Sequence, residues 1–231
     1  MIITQAQLEW VKPPQQTRSQ QTFERLLDAA EAIIDEKGLE RATVAEIAKR
    51  ADSSVGSFYS RFSDKEGLMR CVFERFTSQA IATTEAALSS ERWHGVVIVD
   101  ALETMIAFML SVLNEKRALV TALAIRAAHD PSVSAFGQRL QHTISERTTQ
   151  LFAERGEVLD HPDPRVGVFV AVGLCLSSIE ARTIHGPNQN ERLSDDVLCH
   201  ELVRMCVRYL GLGDRLADHD HVASQAAPPI N

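Results

Sequence analysis

The chain has 231 residues, 45% of them hydrophobic and 24% charged, and its 31 acidic against 24 basic side chains leave a formal net charge of -7. Such a length and apolar content allow a compact core of one domain or two small ones, and the acidic balance argues against an extended nucleic-acid coat while leaving room for a local basic patch. The apolar run Val166 to Ile179 is shorter than the roughly 18–20 residues a membrane span requires.

The first residues lack a basic stretch followed by an apolar leader, so no membrane partner and a cytoplasmic location are expected. Cys71, Cys175, Cys199 and Cys206 contain no C-x-x-C pair and read as reduced thiols packed in helices. Cys199 and Cys206 lie seven apart, on one helical face.

In chain order, residues 1–19 are polar, with Pro13-Pro14, and read as a mobile arm carrying Lys12 and Arg18. Phe23, Leu26, Leu27, Ala30, Ile33 and Ile34 recur at helical spacing and predict a helix over 20–37, with Gly38 as its left-handed stop. Thr43-Val44-Ala45-Glu46 is a capping-box pattern that starts a second helix, ending near Ala51. Ser63-Asp64-Lys65-Glu66 repeats it and starts a long helix from Asp64 toward Ala87, leaving Ser54 to Arg61 for a third, short helix.

Further helices are predicted at 95–114, 117–128, 132–156, 164–185 and 192–210. Asp130-Pro131 and Asp163-Pro164 each supply a capping aspartate before a proline at the first helical position. No alternating apolar run suggests a strand, so the expected fold is all-α.

Two short helices joined by about four residues make a helix-turn-helix, whose second helix is narrow enough for the DNA major groove. Spacing alone is a weak signal; the residue types strengthen it. Ser54, Ser57 and Arg61 recur at one-turn spacing and form a small, polar, partly cationic face, with Val55, Phe58 and Phe62 able to turn toward the core. Gly56 lets a backbone approach closely, while Tyr59 and Lys65 flank the face with a phenol and an ammonium suited to phosphates. Over 49–65, Lys49, Arg50, Arg61 and Lys65 outweigh Asp52 and Asp64, so positive charge gathers near the turn.

Arg25-Leu26-Leu27-Asp28-Ala29-Ala30, Gly38, Thr43, Ile47-Ala48 and the run Ser54-Val55-Gly56-Ser57-Phe58-Tyr59 with Phe62, Lys65, Glu66 and Leu68 resemble the N-terminal DNA-binding domain of TetR-family transcriptional regulators. Two departures stand out: Asp52 occupies a position where the family usually has glycine, and Ser53 one where an apolar residue usually packs. The resemblance implies a mobile arm over 1–19 and a three-helix helix-turn-helix domain over 20–66. A larger helical effector-binding and dimerisation domain over 67–213 and a disordered tail over 214–231 would follow.

It implies that Thr43, Tyr59 and Lys65 hold phosphates, while Ser54, Val55, Gly56, Ser57 and Arg61 face base edges or the adjacent backbone; Arg61 is the candidate for bidentate pairing to guanine. It also implies that the helices at 164–185 and 192–210 pair with their copies in a homodimer, whose symmetry would match a palindromic operator. Gly167, Ala171 and Gly173 would allow close helix approach. Residues 95–157 would enclose a partly apolar small-molecule effector. Met105, Phe108, Met109, Phe136, Leu140 and Phe152 are candidate lining, and Arg126, His129 and His142 candidate polar anchors.

The alternative is a DNA-binding regulator whose C-terminal domain only dimerises or binds a protein partner. There is no G-x-S-x-G or P-loop pattern, His200-Glu201 lacks the second histidine of a zinc motif, and Asp218-His219-Asp220-His221 lies in the tail. The chain is therefore expected to be no enzyme and to need no cofactor or metal.

Overall fold

The computed structural model describes residues 17–186 and 194–212, and every regular element among them is helical. The helices are α1 (Thr17–Lys37), α2 (Val44–Arg50), α3 (Val55–Tyr59), α4 (Lys65–Ala87), α5 (Ile98–Glu115), α6 (Arg117–Ala127), α7 (Pro131–Glu154), α8 (Pro164–His185) and α9 (Asp195–Tyr209), with short 3-10 turns at Leu39–Arg41 and Ser90–Trp93. Residues 17–19, read from sequence as part of the arm, open α1 instead. The rest of the arm and the tail from Asp214, with its Asp218-His219-Asp220-His221 run, lie outside the described residues.

Two compact units divide the chain: Met1–Gln79 with Lys116–Phe136, and Ala80–Glu115 with Gly137–Asn231. The division differs from a cut between residues 66 and 67, because α6 and the start of α7 fold with the N-terminal helices.

In the first unit the predicted face of α1 is the core. Phe23, Leu26, Leu27, Ala30, Ile33 and Ile34 are all buried, together with Ile47, Phe58, Phe62, Leu68, Met69, Val72 and Phe73. Leu119, Ala122, Val133 and Phe136 complete the same cluster from far along the chain. Phe23 and Phe62 stack with ring centroids 5.4 Å apart, and Phe58 meets Phe62 at 5.3 Å, which ties α1, α3 and the turn before α4 together.

Around this core the acidic face of α1 is neutralised. Arg75 on α4 reaches Asp28 at 2.6 Å and Glu31 at 2.9 Å, and Lys116 adds a second cation to Glu31 at 2.8 Å. Burial by itself would raise the Glu31 carboxyl, but the hydrogen bonds from Lys116 and Arg75 outweigh it and hold the group below its ordinary range. Arg126 similarly ties α6 to Glu66 at 3.1 Å, and Arg70 pairs with Asp130 at 2.7 Å.

The second unit is built on α5, α8 and α9, whose inward faces contribute Ile98, Leu102, Ile106, Val168, Ala171, Ile179, Leu202 and Val207. Trp93 is fully buried and its indole N–H donates to the Ala87 carbonyl at 2.6 Å; the Arg155 guanidinium donates to the carbonyls of Trp93 and Val96. A buried tryptophan needs such a partner for its single donor.

By length and composition α8 is apolar enough to cross a membrane, yet one of its faces is packed into this core. Its glycines make room for side chains of the same unit. A Cβ at Gly167 would meet the His161 ring at 2.9 Å, and one at Gly173 would meet the Gln141 amide at 2.7 Å, so the space they free is filled by side chains rather than by another helix backbone.

Candidate DNA-binding surface

Three capping side chains set the helix-turn-helix. The Thr43 hydroxyl accepts from the Glu46 N–H at 3.3 Å, Ser54 Oγ accepts from the Ser57 N–H at 3.0 Å, and Asp64 accepts from the Gly67 N–H at 2.7 Å. The first capping box is only half made: Glu46 does not reach back but pairs with Lys37.

The turn from α2 to α3 closes by two reversed hydrogen bonds. The Ser53 N–H donates to the Ala48 carbonyl at 2.9 Å and the Asp52 N–H to the Lys49 carbonyl at 3.2 Å, the paired pattern of a Schellman stop. That stop requires a left-handed residue after the cap, and Asp52 takes it with φ 47, the one non-glycine positive φ among the described residues. Its side chain is fully exposed and its carboxylate lies 3.8 Å from Arg25 of α1. Ser53 is half-buried, and its backbone donor rather than any apolar side chain closes the turn.

On α3, Phe58 is sealed in the core while Val55, Gly56 and Tyr59 are exposed, Val55 at 42% and Tyr59 at 53%. Val55 therefore does not turn inward with Phe58 and Phe62, as its spacing allowed. A Cβ at Gly56 would touch only Ser54 Oγ at 3.7 Å, so nothing inside the chain demands a glycine there; its effect is to keep the outer surface low. Ser54 Oγ lies 3.0 Å from Ser57 Oγ, so the two hydroxyls form a linked pair on this face.

The cations are less available than composition suggests. Arg50 forms a two-pronged pair with Glu36 of α1. Lys65 donates to the carbonyls of Leu39 at 3.3 Å and Ala42 at 3.2 Å, pinning the 3-10 turn against the start of α4 and leaving one N–H direction for other contacts. Arg61 lies in the turn after α3, half-buried, and burial holds its guanidinium below the ordinary value. Lys49 is exposed.

Tertiary folding thus brings Thr43, Ser54, Val55, Gly56, Ser57, Tyr59, Arg61 and Lys65 into one unit. The candidate effector residues are not brought together in the same way. Met105, Phe108 and Met109 on α5 and Leu140 on α7 are half-buried in the second unit; Phe152 is closed into its core at 2% exposure, and Phe136 belongs to the core of the first unit.

Arg126 is engaged by Glu66 and Glu40, while His129 and His142 are exposed. Sequence reading passed over Glu180, a half-buried carboxyl of α8 in the second unit that burial pushes above the ordinary range. An acid directly after the apolar stretch ending at Ile179 was the available signal.

Two sequence-family models match this chain: "Bacterial regulatory proteins, tetR family" over residues 26–72 and "Tetracyclin repressor-like, C-terminal domain" over residues 95–210. The chain belongs to the TetR family, whose members are transcriptional regulators rather than enzymes. It is 30% identical over 157 residues to the A-factor receptor protein of Streptomyces griseus, an alignment covering 68% of this chain and 53% of that protein; it thus spans about half the length of that relative.

Among solved structures, a protein described as a TetR-family transcriptional regulator from Mesorhizobium loti superposes with TM-score 0.68 at 20% identity, covering 85% of this chain and 98% of that one. RolR, solved with resorcinol bound, superposes with TM-score 0.60 at 19% identity, covering 93% and 98%.

Proposed function

We propose that this chain is a cytoplasmic, homodimeric repressor that binds a palindromic DNA operator through α3 and leaves it when a small molecule occupies the second unit. The observation that carries the DNA reading is the two-sidedness of α3: Phe58 is closed into the core while Val55, Gly56 and Tyr59 are left outside. Thr43, Tyr59 and the remaining donor of Lys65 are assigned to phosphates, and Ser54, Val55, Gly56, Ser57 and Arg61 to base edges and the adjacent backbone. Arg61 gains most from this arrangement, since a partly desolvated guanidinium pairs more strongly with acceptors on guanine.

The dimer reading is supported by α8. Val166 at 51%, Phe169 at 45%, Val170 at 37% and Leu174 at 48% exposure form an apolar stripe that a second copy would cover. The effector reading is supported by the word receptor in the name of the Streptomyces griseus relative and by the resorcinol in RolR. Met105, Phe108, Met109 and Leu140 are its proposed apolar contacts, with Glu180 as a polar one. Phe136 and Phe152 are sealed in cores and are left out. An effector that binds the DNA-incompetent arrangement better shifts the population through α4, which runs unbroken from Lys65 to Ala87.

Selection of bound DNA from a random pool, followed by mobility shift against a panel of small aromatic and acyl compounds, tests the reading. A two-fold-symmetric site released by one compound class is expected. Failure to enrich any symmetric site at moderate salt refutes DNA recognition, and release by none of the compounds favours a C-terminal unit that only dimerises or binds a protein.

A further inference from the structure

Cys175 of α8 and Cys206 of α9 meet with their Sγ atoms 3.5 Å apart. Both are buried, at 3% and 5% exposure, within the second unit's core. The chain's other thiols are elsewhere engaged: Cys199 points at the Glu103 carbonyl at 3.6 Å, and Cys71 belongs to the core of the first unit. All four cysteines are free, so one pair is poised to react and two are bystanders.

We propose that Cys175 and Cys206 are an oxidation site, a dithiol that a small peroxide converts to an intramolecular disulfide tying α8 to α9, and that this modification lowers operator affinity. In the first step the Cys206 sulfur attacks the peroxide, breaking the O–O bond; with hydrogen peroxide the products are a sulfenic acid and one water. The Cys175 sulfur then attacks the Cys206 sulfur, expelling the second water as the S–S bond forms. Two thiols lose two electrons and two protons, and the peroxide, supplied from outside the protein, is reduced to two waters.

Either S–H can donate across this contact; with Cys175 as donor the Cys206 thiol is lowered and that of Cys175 raised, which makes Cys206 the attacking sulfur. Burial slows the first step, which waits on local opening wide enough for a molecule the size of two waters. It does not slow the second, because the resolving sulfur is already in contact.

Closing the bond draws the sulfurs to about 2.05 Å, roughly 1.5 Å nearer than in the thiol pair, a change that close-packed protein interiors pass on to the helices that carry it. The outward side of α8 carries Val166, Phe169, Val170 and Leu174, so pulling the inner sides together moves the surface assigned to the dimer. This last step rests on the proposed dimeric repressor.

The test uses the full chain under native conditions, treated with hydrogen peroxide, followed by alkylation of remaining thiols and peptide mass mapping. Linked Cys175–Cys206 peptides, two alkylated thiols in place of four, and reversal by dithiothreitol are expected. Operator affinity should fall about 5-fold or more on oxidation and return on reduction, with Cys175→Ala and Cys206→Ala both insensitive.

Four alkylated thiols after treatment, or linkage through Cys71 or Cys199, would overturn the oxidation site. A disulfide at this pair with unchanged operator affinity overturns its regulatory role. If reduced wild-type protein selects no operator at all, it is the functional reading that fails, and the thiol mapping still decides the site.

Discussion

Replacing Asp52 by glycine should make the first unit more stable. Asp52 occupies the left-handed position of the α2 stop with φ 47. For an ordinary L-residue that conformation costs roughly 1–2 kcal/mol; aspartate reduces the cost without abolishing it. Glycine removes it but gives back roughly 0.5–1 kcal/mol of backbone freedom in the unfolded chain.

No packing is lost, because the side chain is fully exposed, and the Arg25 contact at 3.8 Å is too long and too solvated to weigh against the backbone gain. The net is at most about 0.5–1 kcal/mol, or up to roughly 1–4 °C in Tm for a chain of this size. Thermal unfolding of wild type, Asp52→Gly and Asp52→Asn at pH 7 reads it directly, the asparagine variant removing the charge while keeping a residue that tolerates the left-handed region. Operator affinity should hold or rise, since a carboxylate leaves a surface assigned to phosphate. A melting temperature for Asp52→Gly below that of wild type refutes the backbone argument; unchanged stability with lost DNA affinity would make Asp52 a contact residue.

Three further outcomes are expected. Hydrogen bonds from Ser132 and Arg70 hold the Asp130 carboxyl at about 2, below an unfolded value of about 3.9, so its contribution is present above pH ~4 and is lost as pH falls toward 2. Asp130→Asn should therefore flatten the acid side of a denaturation-midpoint profile between about pH 4 and 2; parallel profiles would contradict this. Arg61→Ala should relax base preference at one half-site position while Lys65→Ala weakens all sequences about equally, and because Lys65 also pins Leu39 and Ala42, the lysine variant should lower Tm as well. Identical selection profiles for the two would contradict the roles assigned. Leu174→Glu should convert dimer to monomer by light scattering with the helical spectrum retained; an unchanged oligomer would remove α8 from the interface.

Local chemistry was legible wherever one stretch of chain carries the whole signal. The α1 core face, the cap at Thr43, the stop near Ala51 and the end of α4 at Ala87 follow from periodicity and hydrogen-bonding side chains within a few residues of one another, whereas Ser54, read as the first residue of the third helix, is its cap. Asp52 stood out through the resemblance, as the occupant of a position where glycine is usual, and its φ of 47 shows why glycine suits that position.

What the sequence by itself determined, then, was an all-helical chain with a helix-turn-helix near its start, because capping and apolar spacing act over three or four residues. Tertiary structure alone decided which far-apart residues meet. It placed Phe136 and α6 in the first unit, matched Arg50 to Glu36 and Lys116 to Glu31, spent Lys65 on backbone carbonyls, and brought the Cys175 and Cys206 sulfurs into contact. Charge pairing and burial depend on distances between segments that share no local pattern, so a cation counted toward a basic patch from its neighbours in sequence can be neutralised by an acid of another helix.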